Sequence, residues 1–146
     1  MIKYIIAVHF LINLIIAKQL SHLNDLKWKN RILVVLDDNE FQFFKNIKQN
    51  IKGLDERNFV IISFHNAMAF IDEKPMSEKF SRSVSQKIKN INPNHRLILI
   101  GKDGSIKSSY LFETEFEKIF YDVDKMPMRK YEMKIWNKSK SDYSVE

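Results

Sequence analysis

The sequence predicts an α/β domain of element order βαβ-α-ββα, with a four-stranded mixed sheet (order 2-1-3-4) flanked by helices. Three observations carry that expectation. Arg31-Ile32-Leu33-Val34-Val35-Leu36 and Phe59-Val60-Ile61-Ile62-Ser63-Phe64 are apolar runs without alternation, as strands buried on both faces require. A helical apolar stripe lies between them, so strand, helix and strand follow within about 30 residues, the span of a right-handed parallel crossover. A third run, Arg96-Leu97-Ile98-Leu99-Ile100, meets Gly101-Lys102-Asp103-Gly104, a tight turn that sends the chain back antiparallel.

The elements follow in order. Lys3 precedes Tyr4 to Ala17, a largely apolar run that ends in a small residue. This is the pattern of a secretory signal peptide over residues 1–17, and the run is short of the roughly 20 residues that span a bilayer. An uncleaved anchor and a buried core helix are the other readings. Residues 18–27 read as a polar lead-in, with Trp28 clamping it onto a domain over residues 28–136. After the first strand, Asn39 with Gln42 forms a capping box. Phe41, Phe44, Ile47, Ile51 and Leu54 then recur at helical spacing, and Gly53 marks the expected helix end.

His65 to Met76 is the least legible segment. Ser77 is an N-cap for a helix whose stripe is Phe80, Val84, Ile88 and Ile91. Ser105 to Tyr110 is more polar and reads as an edge strand. Thr114 with Glu117 makes a second capping box, before Phe116, Ile119, Phe120 and Val123. Pro127 breaks the helix at Met126, and the chain restarts over Met128 to Trp136. Residues 137–146 are expected to be a disordered polar tail. The overall order is that of a small thioredoxin-like domain. A flavodoxin-like sheet would need a further parallel unit where this chain has a hairpin.

Composition narrows the function. The chain has 146 residues, 45% hydrophobic with 11 Phe, enough for one core and too short for two ordinary domains. Its net charge of +6 is spread among acids, with no block of like charge, so nucleic acid is not an expected partner. There is no cysteine, hence no disulfide framework, no thiolate nucleophile and no lipid-bearing cysteine.

Four segments together resemble one family. They are Trp28-Lys29-Asn30-Arg31, Asp55-Glu56-Arg57-Asn58, Leu99-Ile100-Gly101-Lys102-Asp103-Gly104, and Asp124-Lys125-Met126-Pro127-Met128-Arg129 with Glu132-Met133. The chain from Trp28 to Met133 resembles the thioredoxin-like family catalogued as domain of unknown function 4174, or P-DUDES. That family occurs in short exported bacterial proteins and in vertebrate extracellular sushi-repeat and coiled-coil-domain matrix proteins. The resemblance implies a thioredoxin-like fold and export to the periplasm or beyond the cell. It implies no settled activity and no catalytic residues.

In a thioredoxin-like fold the redox cysteines follow the first strand, where this chain has Asp37-Asp38-Asn39-Glu40. Carboxylates do not exchange with disulfides, so thiol redox activity is excluded. Asp37 and Asp38 sit where ligands meet parallel strands, and could hold a hard cation or act as acid and base. Acids at a helix start more often satisfy its free amides. Lys102 and Asp103 are turn residues and a candidate partner contact. Met126, Met128 and Met133 offer soft sulfur, though methionines more often pack a helix break. Arg129 is expected to pair with Glu132 or Asp124.

The favoured reading is a non-enzymatic binding module whose contact surface is the hairpin and the final helix. No cofactor or metal is assigned. Its partner would be a protein or a cell-envelope component, and a membrane only through an uncleaved signal segment. The rival is a thiol-independent enzyme or metal-handling protein using Asp37 and Asp38 or the three methionines.

Overall fold

A computed structural model of the chain describes residues 20–36 and 40–143. The expected signal segment therefore lies outside the described residues, as do Asp37, Asp38 and the Asn39 cap. A 3-10 turn at Leu23–Leu26 leads into β1 (Arg31–Val35), α1 (Glu40–Glu56), β2 (Phe59–His65), β3 (Met68–Ile71) and β4 (Lys74–Pro75). Then come α2 (Glu78–Ile88), β5 (Leu97–Ile100), β6 (Ile106–Tyr110), α3 (Phe116–Asp124) and α4 (Pro127–Tyr143).

The sheet has six strands rather than the expected four, in the order β4-β3-β2-β1-β5-β6. The expected arrangement is present within it as β2-β1-β5-β6. β1 runs parallel to β2 and antiparallel to β5, and β5 is antiparallel to β6. That is the thioredoxin-like order. The two additional strands come from the illegible segment. His65 pairs with Met68 and Ile71 with Lys74, so each connection is a two-residue turn. Asn66, Ala67, Asp72 and Glu73 all have positive φ, between 49° and 63°. Two such residues in succession make the turn that suits strand twist, usually with Gly at the second position. Here Ala67 and Glu73 stand there, and the hairpin signal is hidden.

All five residues of β1 are buried, which explains why that run does not alternate. Ile32, Val34, Ile62, Ile98 and Ile100 pack on one face with Phe80 and Val84 of α2 and with Leu23 and Leu26. Leu33, Val35, Leu97 and Leu99 pack on the other with Leu54 of α1 and Phe116, Ile119 and Val123 of α3. Two buried hydroxyls of α2 tie the first face together. Ser83 accepts from the Leu23 amide at 2.9 Å, and Ser81 accepts from the Ala69 amide at 3.0 Å. Leu23 and Leu26 thus clamp the lead-in, whereas Trp28 is 62% exposed.

Three local expectations are corrected, and the expected restart of the last helix moves by one residue. α1 passes through Gly53 and ends at Glu56, and Asn58 takes the positive φ (53°) that stops the chain. Gly53 instead admits Phe120, because a Cβ there would lie 2.6 Å from the Phe120 ring. α3 begins one residue late for a Thr114 box. Glu115 is its N-cap and makes no side-chain cap bond. Pro127 opens α4 at the position where a missing N–H costs nothing. The polar tail is helical to Tyr143, because nothing in Asn137–Tyr143 breaks a helix and side chains support it from one turn away. Ser139 donates to the Trp136 carbonyl at 2.8 Å, and the Lys140 ammonium lies 5.2 Å from the Trp136 ring.

Candidate functional site

β1 starts on a charge. Arg31 is 1% exposed, and a guanidinium taken out of water costs several kcal/mol unless it is paired and hydrogen-bonded. Its Nη1 donates to the Arg57 carbonyl at 2.9 Å and to Glu132 Oε2 at 3.0 Å, while Nη2 reaches Oε1 at 3.3 Å. This is the fork-on-fork geometry in which a guanidinium and a carboxylate bind most strongly. Among the described residues, only its Nε lacks a partner of all the buried side-chain polar atoms.

Glu132 serves three cations from α4. Lys102 Nζ, presented by the β5–β6 turn, lies 2.8 Å from Oε1 and donates also to Asn58 Oδ1 at 2.8 Å. Arg129 Nη1 lies 3.7 Å from Oε2. Asp124, at the end of α3, is the second hub. It accepts from Arg57 Nε at 3.0 Å, Arg57 Nη2 at 2.6 Å and Arg129 Nε at 3.1 Å. Arg57 also donates to the Gly53 carbonyl, stacks 4.4 Å from the centre of the Phe120 ring, and Arg129 caps α1 by donating to the Glu56 carbonyl. The four quoted segments therefore meet at one place, the end of the sheet where β1 and β2 begin.

The electrostatics follow from the geometry. Burial pushes the Asp124 carboxyl up, but Arg57 and Arg129 outweigh it and hold it below its ordinary range. Burial likewise raises Glu132, and Lys102 with Arg31 overcomes that and lowers it. Both groups stay ionised and are weak bases at neutral pH. A general base works best with a pKa near the working pH. The cluster can hold elements together and present positive charge. It is poorly suited to moving protons.

The expected site residues are divided by this arrangement. Lys102, Asp124 and Arg129 share the network, and Arg129 pairs with both Asp124 and Glu132. Asp103 stays in its turn, where the Lys107 ammonium 2.7 Å away and the Ser105 amide pull its carboxyl down to about 2. Asp37 and Asp38 lie outside the described residues. Met126 packs against the α3 side of the core, and Met128 is 40% exposed. Met128 and Met133 are five residues apart on α4, about 140° around the helix, and share no face. Among the described residues no three His, Asp or Glu side chains gather as a metal site would.

Sequence reasoning gave no charge role to Arg31, Arg57 or Asn58. The available signal was a basic residue at the head of a strand buried on both faces, which must find a carboxylate somewhere. A recess of about 490 Å³ lies between α1 and the outer sheet and is lined by Ile47, Ile51, Phe59 and Ile61 with Asp55 and Asp72. None of the described candidate residues lines it.

Comparison with known proteins adds one family and one structure. A family model described as a domain of unknown function (DUF4174) matches residues 22–132. No curated protein matches the chain. Among solved structures, the reduced 2-Cys peroxiredoxin of Plasmodium vivax is similar at 12% identity, over 70% of this chain and 80% of that one, with a TM-score of 0.44.

Proposed function

This chain belongs to the DUF4174 family of domains of unknown function, and we propose that it is an exported, non-enzymatic binding module with a contact surface on the β5–β6 turn and α4. One observation carries the reading. Six charged residues drawn from the four family-like segments, Arg31, Arg57, Lys102, Asp124, Arg129 and Glu132, are bonded to one another, so they build and orient the surface beside them instead of awaiting a substrate. That surface exposes Met128, Tyr131, Ile135 and Trp136 of α4, and Trp28 beside the turn. The Trp28 amide donates to the Lys102 carbonyl at 2.6 Å, which ties its backbone to the same network. Large apolar side chains left on a polar surface mark interaction sites when they cluster. The run from Tyr4 to Ala17 supports export, and the lack of cysteine supports a role other than thiol chemistry.

Site-specific photo-crosslinking in cells tests the reading. A photoreactive phenylalanine analogue at Tyr131 or Trp136 is expected to give discrete adducts, while the same probe at Lys74 on the opposite sheet edge gives none. Equal labelling at all three positions would refute a dedicated surface. Recovery of the chain from the envelope fraction, with its N-terminus near Lys18, tests export.

A further inference from the structure

α4 leaves the domain after two turns. Glu132 and Met133 are half-buried, and every residue from Lys134 to Lys140 is exposed. The helix carries five basic residues against two acidic ones, and Glu132 is already spent on the network. At 100° per residue its exposed side chains fall into two adjoining arcs. Met128, Tyr131 and Ile135 form one stripe at i, i+3 and i+7, with Trp136 at its flank. Lys130 lies on the opposite side, Lys134 and Lys138 border Tyr131, about 60° and 20° from it, and Lys140 borders Trp136. All of these side chains are exposed. Trp28 stands between exposed Lys27 and Lys29 at the same end of the sheet.

We infer that this end of the molecule docks on an anionic lipid surface, with α4 lying in the headgroup layer. Aromatic and aliphatic side chains on one side and lysines on the other are the pattern of a helix that lies in a membrane interface. Lysine ammoniums reach phosphates while their methylene stems stay in apolar contact. No helix among the described residues is long and apolar enough to cross a membrane, so this is attachment to a surface. The charge arrangement favours lipid over a second copy of the chain, because a broad negative surface can meet Lys27, Lys29, Lys130 and Lys134 together. The inference rests on the proposed contact surface and names what that surface meets.

The test reads Trp136 alone, in the full chain carrying Trp28→Phe. Vesicles of equimolar phosphatidylcholine and phosphatidylglycerol are expected to shift its emission to the blue, and brominated lipid to quench it. Pure phosphatidylcholine vesicles should do neither. Lys130→Ala with Lys134→Ala should weaken partitioning by roughly 30-fold, on the scale of juxtamembrane lysines, and salt should weaken it further. Vesicle binding that leaves Trp136 emission unchanged would assign attachment to the N-terminal apolar run and overturn the inference. A concentration-dependent blue shift without lipid would give the face to a second copy. Tyr131 and Trp136 adducts to a protein, with no lipid response, would overturn the lipid partner and leave the binding surface standing.

Discussion

Glu132 and Trp136 are one turn apart on the same side of α4, yet their surroundings are inverted. The carboxylate contacts Arg31, Lys102 and Arg129 and is a quarter exposed, while the indole is 60% exposed. Polarity alone would place them the other way round. What decides is where the sheet ends. Arg31 at the head of β1 needs a carboxylate, and the helix supplies it just before running past the edge of the domain. One helix is thus divided into a root that holds the fold and a free half whose apolar residues contribute nothing to the core.

The largest effect is expected at the root. Glu132→Ala leaves Arg31 buried without its charge partner, a loss of about 3–5 kcal/mol in denaturant unfolding. A loss below about 1 kcal/mol would place the pair in the class of exposed ion pairs and erase the contrast.

Acid should act next, on the root and not on the free half. Asp124 and Glu132 have folded-state pKa values below their ordinary values of 3.8 and 4.5. The unfolded chain therefore takes up protons first as the pH drops. The stabilisation from both groups is complete above the higher of those ordinary values and is lost as pH falls through the depressed folded values. Unfolding followed from pH 7 downward should show this decline, and Glu132→Ala should flatten it.

The smallest effect belongs to the free half. Ile135→Ser should change stability by no more than about 0.5 kcal/mol, as substitutions away from packed features do. A thermal melt showing a larger loss would mean that this half packs against the domain.

The parts of the fold legible from sequence are those whose cause is local. β1 and β2 announce themselves by unbroken apolar runs, the β5–β6 turn by its glycines, α2 by Ser77, and α4 by Pro127. The β3–β4 extension was hidden because Ala67 and Glu73 hold positive φ where glycine is usual. Gly53 carries a misleading stop signal, because the Phe120 ring that requires it is distant in sequence. The network was partly legible for the same reason. Arg129 reaches Asp124 and Glu132 within five residues, whereas Arg57 meets Asp124 across 67 and Arg31 meets Glu132 across 101. No periodicity reports a pair so far apart.

That last separation bears on how the chain matures. As the chain is synthesised, β1 emerges 101 residues ahead of the carboxylate that neutralises its first side chain. Until Glu132 appears, closing the sheet around β1 would strand a guanidinium away from water. A chain cut short at Met126 would hold all six described strands and lack the carboxylate that neutralises Arg31. α4 thus supplies, 101 residues later, the charge partner on which burial of the first side chain of β1 depends.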